Sequence, residues 1–109
     1  MPTVYKVLGQ SNPSATTATT LYTVPAATSA ILSTVTVCNQ AATSSSFRIA
    51  VRPAGATLAA QHYVAYDIAI AANDTTCLTL GITLATTDVV TVYSATATMS
   101  FAAFGSEIS

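Results

Sequence analysis

The feature that most constrains this chain is a period-two alternation of apolar and small polar residues, repeated in one segment after another. Residues 46–52 show it most clearly, since Phe47, Ile49 and Val51 alternate with polar or small residues. Successive side chains of a strand point to opposite faces, so the alternation predicts β-strands with one buried face. Threonine and valine also lose rotamer freedom on a helix, which disfavours helices. The pattern predicts about eight strands, within residues 3–8, 20–24, 30–38, 46–52, 62–70, 76–80, 90–92 and 99–103.

Turn residues separate these strands. Pro25 fixes its own φ and ends a strand, and Pro53 begins a Pro-Ala-Gly sequence that suits a tight turn. Asn73-Asp74 and Thr87-Asp88 are polar pairs whose side chains can bind nearby backbone amides. Short strands with regular turns predict a single-domain, antiparallel β-sandwich, with a jelly-roll or an immunoglobulin-like topology. Only residues 54–61 leave room for a short helical turn.

The alternation also assigns side chains to faces. In residues 30–38, we predict that Ile31 shares a face with Val35 and Val37. In residues 62–70, Tyr63 and Tyr66 fall on opposite faces, which predicts one ring in the core and one available to a partner. The predicted inward row of that strand, with Asp67 pointing outward, consists of Val64, Tyr66, Ile68 and Ile70.

A low-complexity segment, QSNPSATTATT at residues 10–20, divides the chain. We predict an N-terminal strand and flexible arm over residues 1–20 and a β-sandwich domain over residues 21–109. The segment is either a plain connection or an arm that adds the first strand to a neighbouring subunit, as exposed sheet edges invite.

Charged residues are scarce, at 6% of the 109 residues against roughly 25% in ordinary soluble domains. Three basic residues and a net charge of −1 cannot form the cationic patch that binding to nucleic acid requires, so no nucleic-acid partner is expected. A surface with so little charge also resists association poorly. The composition therefore favours a protein that is covered by partners in an assembly over an unusually uncharged monomer.

Neither membrane insertion nor export is predicted. The chain has no run of about 18 apolar residues, and its first residues, MPTVYKVLGQ, lack the basic and apolar regions of a signal peptide. We therefore expect synthesis in a reducing compartment. Cys38 and Cys77 are then predicted to be two buried thiols, with a disulfide between neighbouring strands as the less favoured alternative.

Residues for catalysis or metal binding do not group. The only histidine, His62, lies five residues from Asp67, and the chain has no G-x-S-x-G sequence. Cys38 and Cys77 belong to no C-x-x-C pair, which makes a zinc site improbable. We predict a protein that is not an enzyme and that holds no cofactor or metal.

The residues predicted to contact partners centre on two arginines. Arg48 and Arg52 lie on one face of a strand, which is either a solvated face or a contact with a carboxylate of a neighbouring subunit, such as Asp67, Asp88 or Glu107. The predicted interface residues are Arg48, Arg52, Tyr63, Asp67 and Glu107.

Four segments carry a resemblance to a known group of proteins. These are TTLYTVPAATSAILSTVTVCNQ, FRIAVRPAGATLAAQHYVAYDIAIAANDTTCLTLG, TDVVTVY and SFAAFGSEI. In their order and their amino-acid sequence they resemble small virion structural proteins of tailed phages, including phages of cyanobacteria, over nearly the whole chain from about Tyr5 onward. The resemblance implies a compact β-sandwich subunit of the particle and carries no catalytic motif.

Resemblance and composition together predict a capsid decoration, or cement, protein. Such a protein is made in the host cytoplasm, is located in the virion, and binds the major capsid protein and copies of itself, in one arrangement as a trimer. The alternative is a structural protein of the tail, baseplate or fibre attachment. A sandwich that binds host glycans is the weakest expectation, because the chain has no tryptophan and only three phenylalanines.

Overall fold

The computed structural model describes residues 3–109, and its regular structure is almost entirely β. Two single turns of 3-10 helix, Pro53–Gly55 and Ala60–His62, lie between the fourth and fifth strands. The helical turn predicted within residues 54–61 is thus present as two short turns at its ends. The eight strands are β1 (Thr3–Ser11), β2 (Thr19–Thr23), β3 (Ser29–Asn39), β4 (Ser45–Arg52), β5 (Tyr63–Ile70), β6 (Thr75–Leu84), β7 (Val89–Ser94) and β8 (Met99–Ile108).

The strands form two four-stranded sheets that pack face to face, which confirms the predicted antiparallel β-sandwich. Sheet I has the order β1-β8-β3-β6, and sheet II has the order β2-β7-β4-β5. Every neighbouring pair is antiparallel. The pairs β1·β8, β2·β7, β3·β6 and β4·β5 are those of one long hairpin rolled up on itself. Of the two topologies that the sequence left open, this order is that of the jelly roll.

The core lies between the sheets and draws apolar side chains from both. Phe47 of β4 and Phe101 of β8 meet edge to face, with their ring centroids 6.2 Å apart. Phe47 and Ile49 are fully buried and Val51 is partly buried against them, so the face predicted for β4 is confirmed. The other fully buried large side chains include Leu32, Leu84, Met99, Val24, Val35, Val37, Val90 and Val92.

A line of β-bulges crosses sheet I and changes which residues face the core. One strand has an extra residue relative to its partner at three places: Leu8 in β1, Ser33 in β3 and beside Gly81 in β6. Gly81 has φ +62°, a conformation that glycine adopts without strain. In β1 and β3 the added residue puts the alternation on its two sides out of phase. β6 keeps its phase, since Leu78 and Ile82 lie opposite the buried Val35 and Leu32 on the two sides of its irregularity.

The bulge at Ser33 overturns the face predicted for Ile31. Leu32 is fully buried together with Val35 and Val37, whereas Ile31 is exposed on the outer side of sheet I. The prediction that Ile31 shares a face with the two valines was therefore wrong, by the single residue that the bulge inserts.

Two bulges in β5 have the same effect on sheet II. Phe47 is opposite Ile68, Ile49 is opposite Ala65, and Ala50 is opposite Tyr63, so β5 carries two extra residues over this stretch. β5 is also an edge strand with no neighbour on its other side. The predicted inward row was right in part. Ile70 is buried, and Ile68 lies on the inner side opposite the buried Phe47, although it is exposed at this edge. Tyr66 lies instead on the outer side beside Arg48, and Val64 is exposed at a bulge.

The predicted polar turns are confirmed. Asn73 and Thr87 adopt positive φ angles, 53° and 68°, in the β5–β6 and β6–β7 turns. The Asp88 carboxylate accepts hydrogen bonds from the backbone N–H of Ala85 and of Ala54, both at 2.9 Å. Asp88 therefore closes its own turn and fastens the loop that follows β4.

The N-terminal segment contains the predicted strand. β1 pairs with β8 of the same chain at the edge of sheet I. Its connection to β2 is anchored, because the Asn12 side chain donates to the carbonyl of Met99 and the Thr16 N–H donates to the carbonyl of Ser94. Residues 1 and 2 of the predicted arm lie outside the described residues, and the division at residue 20 stays a prediction.

From residue 3 onward, no helix has the length and apolar character needed to cross a bilayer.

The two cysteines are free thiols on the outer side of sheet I. Cys77 lies opposite Thr36 in the β3·β6 pair and is exposed, and Cys38 is half-buried. The predicted burial of both thiols was wrong, because Cys38 alternates with the buried Val37 and Asn39 of β3, and Cys77 alternates with Thr76 and with the inner leucine and isoleucine residues of β6. Those inner residues are Leu78, Leu80, Ile82 and Leu84.

Candidate functional site

The outer side of sheet I carries an exposed apolar group. Tyr5 is 84% exposed and Val7 is 47% exposed on β1. Cross-strand register places Tyr5 and Ile31 on either side of Ser106, and it places Val7 directly opposite Phe104. We call the outer side of sheet I, with these four large side chains, the uncharged face. Its small residues include Ser33, Thr36, Cys38, Cys77, Thr79, Ser100, Ala102 and Ser106.

None of the seven charged residues of the chain, all of which the structure describes, projects from the uncharged face. Two of them belong to sheet I, and their register places both on its inner side. Lys6 is opposite Gly105, and Glu107 is opposite the buried Ala30. The others lie on sheet II or in turns, and they are Arg48, Arg52, Asp67, Asp74 and Asp88.

Lys6 and Glu107 form a polar bridge between the two sheets. Lys6 Nζ lies 3.1 Å from Glu107 Oε1, and the Tyr22 hydroxyl of β2 donates to Glu107 Oε2. Hydrogen bonds from Tyr22 and from Lys6 hold the pKa of Glu107 below its usual range. Burial, and then the bond to Glu107, raise the pKa of Tyr22. The carboxylate is therefore ionised and satisfied within the chain.

The outer side of sheet II carries three of the five charged residues that lie on strands, Arg48, Arg52 and Asp67. Arg48 of β4 is directly opposite Tyr93 of β7. On its other side, the β5 bulge sets two residues, Tyr66 and Asp67, against the single Arg48. Asp67 has φ +51°, which is the local backbone conformation of the bulge. The arginine–tyrosine cluster is Arg48, Tyr63, Tyr66, Asp67 and Tyr93.

The contacts in this cluster occupy the guanidinium on several sides. Arg48 Nε donates to Asp67 Oδ1 at 2.6 Å and Nη2 donates to Oδ2 at 3.3 Å, a paired geometry. The guanidinium carbon lies 4.1 Å from the centroid of the Tyr66 ring and 4.4 Å from that of Tyr93, within cation–π range. The hydrogen bond that Arg48 donates to Asp67 raises the pKa of Arg48 further above its already high value.

The two tyrosines of β5 are on the same side of the sheet. Tyr63 and Tyr66 meet edge to face, with centroids 4.9 Å apart and planes at 83°. The prediction that they take opposite faces was wrong, because the bulged stretch between them breaks the alternation. Both rings belong to the surface of sheet II.

Arg52 lies on the same face of β4, four residues beyond Arg48. Its Nε donates to Thr91 Oγ1 at 3.1 Å, and its Nη1 donates to the carbonyl of Ala56 at 3.2 Å. Arg52 thereby holds the loop after β4 against β7.

Four of the five predicted interface residues thus share the outer side of sheet II: Arg48, Arg52, Tyr63 and Asp67. Glu107 lies apart from them, in the bridge between the sheets. Asp67, Asp88 and Glu107 each accept hydrogen bonds within the chain. The contact of these residues with a neighbouring subunit stays a prediction.

Sequence reasoning did not identify the uncharged face. Lys6 stands between Tyr5 and Val7, and simple alternation reads a lysine as outward and its apolar neighbours as inward. In the structure Lys6 reaches inward to Glu107, and both neighbours are exposed. The one usable signal was Glu107 itself, a lone acidic residue in an apolar strand that requires a basic partner.

Other reactive side chains have structural partners. His62 Nδ1 accepts a hydrogen bond from the Ala59 N–H at 3.0 Å, which closes the second 3-10 turn. Within residues 3–109, no three histidine, cysteine, aspartate or glutamate side chains come together in a group that could hold a metal ion. What the described clusters offer chemically is contact surface.

Comparison of the chain with protein-family profiles, with curated proteins and with solved structures finds no match. The two outer sides of the sandwich are therefore interpreted from their own geometry.

Proposed function

We propose that the protein is a structural subunit of a phage particle, a capsid decoration protein that binds across joints of the major capsid protein through its uncharged face. The observation that carries the proposal is the exposure of Tyr5, Val7 and Ile31 on a sheet surface without charge. Apolar area contributes roughly 25 cal/mol per Å² when it is buried. A partner that covers this face gains that term without having to desolvate an ion.

Repetition strengthens such a contact. A capsid presents many equivalent joints, and copies that also touch one another bind with more than the affinity of a single contact. The partners are then the major capsid protein and further copies of this chain, a trimer at a local threefold axis being one arrangement. In this proposal the protein is made in the host cytoplasm and resides in the virion. No nucleic-acid or membrane partner, no cofactor and no catalytic role forms part of it.

Particle-binding experiments can test the uncharged face with two matched variants. Val7→Asp adds a carboxylate to the uncharged face, and Val64→Asp adds one to the edge of sheet II, at residues with nearly equal exposures of 47% and 49%. We expect Val7→Asp to abolish binding to particles that lack the protein, and Val64→Asp to bind as the wild type does. Equal binding of the two variants would refute the assignment of the face.

Copy number separates the head from the tail. A decoration protein is present in as many copies as the capsid has joints, whereas a tail, baseplate or fibre-attachment protein is present in the few copies that the symmetry of a tail allows. Quantitative mass spectrometry of purified particles, scaled to the major capsid protein, measures this number. A ratio near that of tail proteins would move the proposal to the tail, and absence from particles would reject both placements.

One feature favours a second candidate, the binding of a host glycan. Tyr63 and Tyr66 line a shallow depression of about 640 Å³ with Leu58, Ala59 and Ala60. Exposed aromatic rings can stack on sugar rings, but both of these tyrosines already lie beside Arg48. Glycan-array binding that Tyr66→Ala abolishes would support this candidate, and an array without signal would reject it.

A further inference from the structure

The sandwich has four edge strands, and three of them have features that hinder pairing with another chain. β1 carries Lys6 and the bulge at Leu8. β2 is only five residues long. β5 has two bulges and the charged Asp67. Bulges, charges and short length are the means by which natural sheets protect their edges.

β6 is the exception. It is ten residues long, contains no charged residue and no proline, and pairs with β3 alone. Its single irregularity lies beside Gly81. Before that point, residues 75–79 pair without a break against residues 34–38 of β3. The opposite side of this regular five-residue stretch is an open row of backbone donors and acceptors.

We propose that β6 pairs with β6 of a second copy of this chain, antiparallel about a twofold axis at Cys77. Cys77 is the centre of the regular stretch. An axis nearer the N-terminus would run the pair into the β5–β6 turn, and an axis nearer the C-terminus would run it into the bulge at Gly81. With the axis at Cys77, Thr76 lies opposite Leu78 of the second copy, and Thr75 lies opposite Thr79.

The second copy fits this edge because the pairing is self-complementary. Thr75, Cys77 and Thr79 alternate with the half-buried Thr76 and Leu78. About this axis outer residues meet outer residues and inner residues meet inner ones, whereas a slip by one residue would mix them. Paired threonines stabilise neighbouring strands, and no like charges oppose each other. Pairing of β6 with β1 of another copy, which would give open-ended filaments, would instead place Lys6 and a bulge in the contact.

The result is a continuous eight-stranded sheet that joins two uncharged faces in one surface. The proposal does not rest on the capsid role, because it concerns the purified protein alone.

Thiol cross-linking tests the axis directly. In Cys38→Ser, Cys77 is the single thiol, and pairing would set it against the same thiol of the second copy. Diamide takes up the two electrons and two protons that the thiols release when the disulfide forms. We expect rapid formation of a cross-linked dimer, and none in the matched variant Cys77→Ser, which keeps only Cys38.

A collision control distinguishes pairing from chance encounters of exposed thiols. Thr83→Cys in the chain with Cys38→Ser and Cys77→Ser places the single thiol at another exposed position of β6, beyond the bulge and far from its counterpart in the second copy. We expect its cross-linking to be roughly tenfold slower or more, because pairing raises the effective concentration only near the axis. Equal rates for the two positions would overturn the proposal.

Solution mass gives a second readout. By sedimentation under reducing conditions, the wild type and Cys77→Ser should have twice the 11.1 kDa of one chain. Cys77→Lys would set two ammonium groups against each other at the axis, and we expect it to be monomeric with an unchanged circular dichroism spectrum. A monomeric or trimeric Cys77→Ser, or a dimeric Cys77→Lys, would overturn the proposal. Val7→Asp, at the opposite edge of sheet I, should lose particle binding and remain a dimer, so the two proposals fail separately.

Discussion

The two outer sides of the sandwich differ in where their charged residues lie. Sheet II gathers Arg48, Asp67 and three tyrosines into a cluster whose members satisfy one another. Sheet I turns its two charged residues inward and leaves Tyr5, Val7 and Ile31 exposed. The outer side of sheet II therefore makes its polar contacts within the chain, whereas the outer side of sheet I leaves apolar side chains exposed.

This difference bears on which side a partner can cover at low cost. Covering the Arg48–Asp67 pair requires desolvating two ions whose hydrogen bonds are already made within the chain. Covering tyrosine, valine and isoleucine side chains removes apolar area from water and leaves few polar groups unpaired. The uncharged face is therefore the side suited to a large contact.

The largest expected effect belongs to the core, which both sheets share. Phe47 has no exposed surface and packs against Phe101. Phe47→Ala should lower the free energy of unfolding by about 3–5 kcal/mol, the cost of a large cavity. Phe104→Ala, on the uncharged face, is the matched control and should cost much less. Denaturant unfolding of both variants measures the difference, and equal losses would mean that Phe104 also belongs to the core.

A smaller effect is expected on sheet II. Arg48→Ala removes the paired hydrogen bond to Asp67 and the contacts with Tyr66 and Tyr93, so the thermal midpoint should fall, though by less than in Phe47→Ala. The thermal midpoint of Arg48→Lys should lie between those of Arg48→Ala and the wild type, because the lysine ammonium keeps the charge but not the planar guanidinium that pairs with a carboxylate. A midpoint of Arg48→Ala equal to that of the wild type would show that the cluster does not stabilise the fold. The two outer sides would then differ in polarity but not in their contribution to stability.

The strands, the turns and the sandwich could be predicted because they follow from local signals. Alternation along β4 and the polar residues of the turns act over a few neighbours, and both predictions are confirmed. The faces of Ile31, Val64 and Tyr66 could not be predicted, since each depends on a bulge. A bulge is a mismatch between two paired strands, and neither strand alone contains the information.

The candidate site shows the same division. Arg48 and Asp67 were both singled out from the sequence, but they are 19 positions apart, and nothing in the sequence indicates that they are in contact within one chain. That contact exists because β4 pairs with β5 and because the bulge turns Asp67 toward the arginine. The orientation of Lys6 likewise depends on Glu107 at the other end of the chain.

A third prediction concerns pH and the bridge between the sheets. The pKa of Glu107 is lowered in the folded chain from its ordinary 4.5. Stability from such a carboxylate is complete above the unfolded pKa and is lost as the pH falls through the folded pKa. The thermal midpoint of the wild type should therefore fall on acidification below the ordinary pKa of glutamate, and that of Glu107→Gln should fall less over the same range. Tyr22→Phe, which removes one of the two donors, should give an intermediate slope, and parallel curves for all three proteins would contradict the role of the bridge.

The smallest effect on stability is expected for a substitution of Tyr5, on the uncharged face, where the proposed effect on particle binding is large. Tyr5 is 84% exposed and sits on an edge strand. Tyr5→Glu should change the free energy of unfolding by no more than about 0.5 kcal/mol, as is usual for surface substitutions. The same variant should lose attachment to particles, because its carboxylate would have to be desolvated in the contact. Parallel denaturant and particle-binding measurements decide the matter: a clear loss of stability would place Tyr5 in the fold's own packing, and full attachment at normal stability would remove the uncharged face from the contact.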